Sequence, residues 1–180
     1  GDVYKRQVLD LDAPVSDVLP DVAFADQMTL RQNLNHTAGW DDYAWQPEVL
    51  CCLTDTWTGQ ALVDVVSDEL LFEPGTEWAY SNTGYAVVGL AIEERVGRDY
   101  AIEVRERLLD PIGLTDSVLP THEGLPGWMV RGYVGDTGSY VDVSDDMSAT
   151  VPWTSGEIIS TSADIDGTEQ LIISLQSNLE

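Results

Sequence analysis

The sequence predicts an α+β fold in which helix outweighs strand. Between Gly59 and Leu109 three helix-forming segments follow one another with short links. After Leu114 the texture changes to two short strand-like runs separated by Gly135-Asp136-Thr137-Gly138. An apolar content of 43% over 180 residues suffices for one core, whether a whole domain or part of a larger one.

In chain order, Gly1 to Gln7 does not match the remainder of the chain in texture and resembles a translated sequencing-adapter scar, so 1–7 is set aside and 8–180 is read as one partial domain. Val8 to Pro20 is a turn-rich connector with a short apolar anchor. Thr29 to Asn35 forms a short helix, with Thr29 as cap and Gln32 at capping-box spacing. His36 has no nucleophile near it in sequence, and its ring is expected to bond a backbone group in a tight turn. Asp41 to Thr58 is irregular, and long loops of this kind shape binding sites. Asp41 and Asp42 read as two solvated acids. Gly59 to Leu71 is an amphipathic helix carrying Leu62, Val65, Val66 and Leu70 on one side.

A second helix runs from Asn82 to Val96. Its apolar side is Tyr85, Val88, Ala91 and Ile92, with Gly84 and Gly89 permitting close packing and Gly97 as a left-handed stop. Asp99 caps a third helix, Tyr100 to Leu109, with Ile102, Val104 and Leu108 inward and Pro111 and Gly113 ending it. Trp128 to Val134 and Ser139 to Val143 are the two strands. Thr161, with Asp164 three residues on, opens a closing helix over 162–175.

Charge is the outlying property: 32 Asp plus Glu against 8 Lys plus Arg, a formal net charge of -24. Nucleic acid is excluded as a partner, because phosphate binding needs clustered cations. The acids are spread along the chain and the aromatics are kept, which argues for a folded protein with an acidic shell suited to high salt. No apolar run approaches the ~20 residues of a membrane span. The two cysteines, Cys51 and Cys52, are adjacent, form no metal-ligand or disulfide pattern, and read as small, partly buried hydrophobes. No metal or organic cofactor is implied.

The stretch from Phe72 to Val96 organises the chain. Pro74-Gly75 marks a turn, Glu77 to Tyr80 is extended, and Tyr80-Ser81-Asn82 arrive together where that segment gives way to a helix. A phenol, a hydroxyl and an amide at such a junction are aimed by a fixed backbone, as catalytic groups are. The competing reading is that Ser81 or Asn82 caps the helix and Tyr80 packs. There is no Gly-x-Ser-x-Gly elbow, His-Glu-x-x-His, phosphate loop or Cys-x-x-Cys.

From Leu9 to about Ile173 the sequence resembles the serine β-lactamase and penicillin-recognising family, in its class C β-lactamase and D-alanyl-D-alanine carboxypeptidase branch. The anchors are Leu9-Asp10-Leu11-Asp12-Ala13-Pro14-Val15, Met28 through Gly39, Phe72 to Gly89, Leu109-Asp110-Pro111-Ile112-Gly113-Leu114, and Trp153 to Asp164. Each is weak alone, and their order and spacing together are specific. The resemblance implies the mostly helical lobe of a β-lactamase-like fold, with the flanking antiparallel sheet strands largely missing. It implies that Tyr80 transfers protons to and from the nucleophile and leaving group. It also implies that Asn82 holds a substrate carbonyl or amide and helps orient a catalytic lysine. A free phenol has a pKa near ~10, so it is a poor base until cations stabilise the phenolate. Trp153 resembles the aromatic that lines the substrate cleft in some carboxypeptidases of this branch, and fits a core indole equally well.

Two departures matter. The family's Ser-x-x-Lys lies upstream of Leu9, whereas here the only lysine is Lys5, with Asp2 three residues before it; the family's third element, Lys-Thr-Gly or His-x-Gly, is expected beyond Glu180. The resulting expectation is a fragment of a serine acyl-transfer hydrolase, inactive as given, whose parent acts on a small-molecule or peptide acyl substrate. The resemblance implies export, while the compartment itself is not encoded. The alternatives are a non-catalytic β-lactamase-like binding protein and an acidic cation-binding structural domain.

Overall fold

The structure, a computed structural model, describes residues 9–136 and 138–166. It is a helical lobe with one small antiparallel sheet. Its helices are α1 (Leu30–Leu34), α2 (Pro47–Leu50), α3 (Gly59–Asp64), α4 (Asn82–Val96), α5 (Tyr100–Val104), α6 (Asp110–Ile112) and α7 (Pro120–Glu123). Its strands are β1 (Tyr133–Asp136) and β2 (Ser139–Asp142). The expected start of the closing helix is present over 162–166, with the Thr161 hydroxyl accepting from the Asp164 N–H at 3.2 Å; the rest of that segment lies outside the described residues, as does 1–7.

α4 is the axis of the lobe. Thr83, Ala86, Val87 and Ala91 form its most buried face, and no residue from Asn82 to Ile92 is exposed, so the helix is surrounded rather than resting on one apolar side. Tyr85, Val88 and Ile92, expected on that side, are only half-buried. Close packing at the two glycines holds as expected. A Cβ on Gly84 would sit 2.8 Å from the Asn33 carbonyl oxygen of α1, and one on Gly89 would sit 2.2 Å from Thr154 Cγ2. Gly97 closes α4 with φ +75°, the left-handed stop read from the sequence. α1 has the expected capping box: Thr29 Oγ1 accepts from the Gln32 N–H at 3.2 Å, and Gln32 Oε1 accepts from the Thr29 N–H at 2.8 Å.

Three elements differ from expectation for identifiable reasons. The helix at Gly59 ends at Asp64 rather than Leu71, and the Ser67 hydroxyl donates to the Asp64 carbonyl that would continue the ladder, at 2.9 Å. The helix at Tyr100 does not end before Pro111. It widens into a π turn over Arg105–Leu109 and continues to Ile112, where Gly113 stops it at φ +77°. A proline inside a helix lacks its N–H and crowds the preceding turn, and one wide turn relieves both. The widened turn rotates the register, so Leu109 is buried and Leu108 is exposed. β1 begins at Tyr133 rather than Trp128, because Pro126-Gly127 turn back through a Met129 N–H to Pro126 carbonyl bond of 3.0 Å. The hairpin pairs Tyr133 with Asp142 and Asp136 with Ser139, and both strands are exposed.

Of the two cysteines, Cys51 is exposed rather than partly buried, and its thiol lies 2.7 Å from that of Cys52, which is half-buried as expected. No helix among the described residues is long and apolar enough to cross a membrane.

Candidate active site

The segment after Leu70 is not a sheet strand. It runs beside the loop at 36–39, with Leu71 N–H on the Gly39 carbonyl (2.8 Å), Gly75 N–H on Thr37 (2.8 Å) and Ala79 N–H on His36 (3.1 Å). These bonds carry the chain to the start of α4 and fix the direction in which Tyr80 leaves it. Gly75, at φ +86°, supplies the turn that Pro74-Gly75 predicted.

Tyr80 is 57% exposed, and its hydroxyl donates to Asn82 Oδ1 at 3.2 Å. The phenol and the amide that the sequence sets two places apart are therefore in contact. The other end of the amide, Asn82 Nδ2, donates to both oxygens of Asp42, at 3.1 and 2.9 Å. Asp42 is 5% exposed and also caps the helical turn Tyr43–Trp45 by accepting from the Ala44 N–H at 3.0 Å. Reading Asp42 as a solvated acid is thus corrected. It is a buried carboxylate whose lone pairs are filled by an amide and a helix-turn N–H, as burial of a charge requires.

Ser81 sits at the N-cap position of α4 but does not cap it with its side chain. Its hydroxyl donates to the Asp41 carbonyl at 3.1 Å, and Thr83 Oγ1 donates to the same oxygen at 2.8 Å while accepting from the Tyr43 N–H at 3.1 Å. These bonds stitch residues 41–43 to the first turn of α4. His36, at φ +64°, accepts from the Ser81 N–H through Nδ1 at 3.3 Å, the backbone bond expected of it. Its ring faces Tyr80, with centroids 4.6 Å apart and planes tilted by 36°.

Trp153 packs into the core and also borders a cavity, so both of its readings stand. It is almost fully buried at φ +35°, edge-on to Tyr100 at 5.2 Å. Its ring lies where a Cβ on Gly59 would stand, 1.9 Å from Cζ3. It lines an apolar cavity of about 420 Å³ with Tyr85, Val88, Ile92, Tyr100 and Val104, whose walls include neither Tyr80 nor Asn82. The link from the Trp153 segment to the site runs through Tyr43, whose hydroxyl donates to the Val151 carbonyl at 2.8 Å. Burial pushes the Tyr43 phenol up to about 12, so it stays a proton donor.

Asp42, Thr83 and Tyr43 are the supporting residues that sequence reasoning missed. The partners that tie them to the site or to the Trp153 segment lie 40 or more residues away. Among the described residues no group of three or more His, Cys, Asp and Glu side chains is placed to hold a metal ion.

The family model described as Beta-lactamase matches residues 2–167. The chain belongs to the beta-lactamase family. Among its relatives is "Penicillin-binding protein 4" of Amycolatopsis lactamdurans, 30% identical over 169 residues that cover 87% of this chain and 42% of that protein. A D-stereospecific amidohydrolase from Streptomyces sp. has a solved structure with a TM-score of 0.79 at 30% identity, over 92% of this chain and 54% of that one. D-amino acid amidase from Ochrobactrum anthropi SV3, solved with D-phenylalanine, gives 0.78 at 29% identity over 92% and 50%. The chain thus spans about half the length of these relatives.

Proposed function

We propose that this beta-lactamase-family chain is the helical lobe of a serine acyl-transfer hydrolase, and that Tyr80 and Asn82 are the part of its catalytic centre borne by these 180 residues. The flanking sheet strands and the nucleophile come from outside the chain. The Tyr80 hydroxyl on Asn82 Oδ1 carries this reading, because it joins an exposed phenol to a buried polar network at the head of α4. A phenol that takes a serine proton must first become a phenolate. Asp42, hydrogen-bonded to Asn82, brings no positive charge to this pair, and the His36 ring beside Tyr80 uses its Nδ1 to accept the Ser81 N–H. The missing positive charge is the role of the family's lysine, which would point its ammonium at Tyr80 and Asn82 Oδ1.

The chemistry is attack of a serine oxygen on an acyl carbonyl, departure of the amine or alcohol with a proton delivered through Tyr80, and hydrolysis of the acyl-enzyme. Amides of D-amino acids are the substrates to try first, since two relatives at about this identity are named for D-stereospecific amide chemistry. Export and a substrate from the cell exterior follow the family and are part of this proposal.

The test is hydrolysis of D-phenylalanine amide and of nitrocefin by two proteins: this chain alone, and the longer gene product that includes the residues before Leu9. The chain alone is expected to be inactive, and the longer product active on at least one substrate. Turnover by the 180 residues alone would refute the proposal. A longer product that binds but never turns over would favour the binding-protein alternative.

A further inference from the structure

Asn82 can present either end of its amide to the space beside Tyr80, and the two ends do opposite things. The carbonyl accepts and the NH₂ donates. In electron density the ends look alike, so the neighbours decide the assignment. Here one neighbour permits a single answer. Asp42 is 5% exposed, an ionised carboxylate only accepts, and both its oxygens lie within 3.1 Å of the Asn82 amide nitrogen. The flipped amide would set its oxygen against two carboxylate oxygens with no proton between them. Asp42 is itself immobile. Its Oδ1 holds the Ala44 N–H at 3.0 Å, and residues on both sides of it are tied to α4 by Ser81 and Thr83.

We propose that Asp42 is a positioning residue for the candidate catalytic pair. Its carboxylate locks the Asn82 amide with the carbonyl oxygen turned to Tyr80, where it accepts from the hydroxyl and leaves the site an acceptor for an incoming group. The group recognised there is an N–H or ammonium donor. This rests on the reading of Tyr80 and Asn82 as the site, but its test needs no turnover, so the two fail separately.

The experiment is NMR on the uniformly ¹⁵N-labelled 180-residue chain with ¹³Cζ-tyrosine, comparing the natural sequence with Asp42→Asn and Asp42→Ala. The Asn82 side-chain resonances are assigned by their disappearance in Asn82→Asp. Asp42→Asn retains an oxygen for the Ala44 cap and removes only the charge that forbids the flip, so it serves where Asp42→Ala does not fold. Solvent exchange of the Asn82 side-chain protons should rise about tenfold or more in a variant, as loss of a bond to a charged acceptor implies. The Tyr80 Cζ signal should shift with it. The Tyr43 N–H, bonded to Thr83 rather than to Asp42, should keep its protection. Asn82 exchange and Tyr80 signals that stay put in the folded variants would overturn the proposal. So would loss of Tyr43 protection in step with them, which would make Asp42 only a brace for its loop.

Discussion

Backbone contact at Gly84 sets the depth at which α4 sits on α1. The Asn33 carbonyl oxygen would meet a new Cβ at 2.8 Å, and a main-chain atom cannot swing aside as a side-chain end does. Gly84→Ala is therefore expected to lower stability by about 1–3 kcal/mol despite the better helix propensity of alanine, measured by urea unfolding. Tyr43→Phe should cost a similar ~1–3 kcal/mol, since it leaves the buried Val151 carbonyl without its donor while the ring still fills its place. Among single residues the sequence was informative where the signal is local. Tyr80 and Asn82 stand two apart at an element junction, and both are where that junction implied. It misled at Asp42, read as a solvated acid, because nothing in the acid's own neighbourhood records an amide 40 residues away. Trp153 was legible only as two alternatives, and nothing in the sequence signalled that its ring packs over Gly59.

Helices were legible in proportion to the strength of their end signals. α4 has the bounds expected of it, because an extended entry and a left-handed glycine fix both ends. Where a competing bond intervened, boundaries moved: Ser67 shortened α3, and Pro111 widened the turn before it instead of ending the helix. The same region holds a buried charge on α5. Glu103 is 6% exposed and bonds Arg98 and Arg107, both partly solvated. The carboxylate is the desolvated partner, so the cost of breaking the cluster appears when it loses its cations. Arg98→Ala combined with Arg107→Ala is expected to destabilise the chain by ~3 kcal/mol or more, whereas either change alone should cost less. A double-mutant cycle by thermal unfolding measures this. Asp99→Ala removes the acceptor for the Ala101 N–H at 2.8 Å and should cost about 1 kcal/mol.

Across the whole molecule, charge ties stability to pH and salt. Burial raises Glu93 and Glu157 from 4.5 to about 7. An acid that holds its proton more tightly when folded stabilises the fold at low pH. That contribution is complete below 4.5 and is lost as pH rises to about 7. Ion-paired acids act oppositely: Asp12, Glu106, Glu123 and Asp142 are held below their ordinary values by arginines or hydrogen bonds, and their support is lost on acidification below the ordinary carboxylate range. The melting temperature should therefore peak near pH ~4.5–5 and fall toward pH 8. Glu157→Gln should flatten the alkaline side of that curve. A net charge of -24 adds self-repulsion, so melting at pH 8 should rise with KCl; a flat or falling dependence would count against an acidic shell suited to salt. The α+β class was visible from sequence because helical periodicity and turn residues are local. The long-range stitching of residues 41–43 to α4 was not, because hydrogen bonds between distant segments leave no periodic trace.

Covalent labelling by a fluorescent penicillin bears straight on the assignment of Tyr80 to proton transfer. It should be run on the proposed longer gene product, on its Tyr80→Phe variant, and on the 180-residue chain alone. The longer product should be acylated, Tyr80→Phe should be acylated ~10²-fold more slowly or worse, and the chain alone should stay unlabelled. Equal labelling rates for Tyr80→Phe and the unaltered longer product would remove Tyr80 from the chemistry.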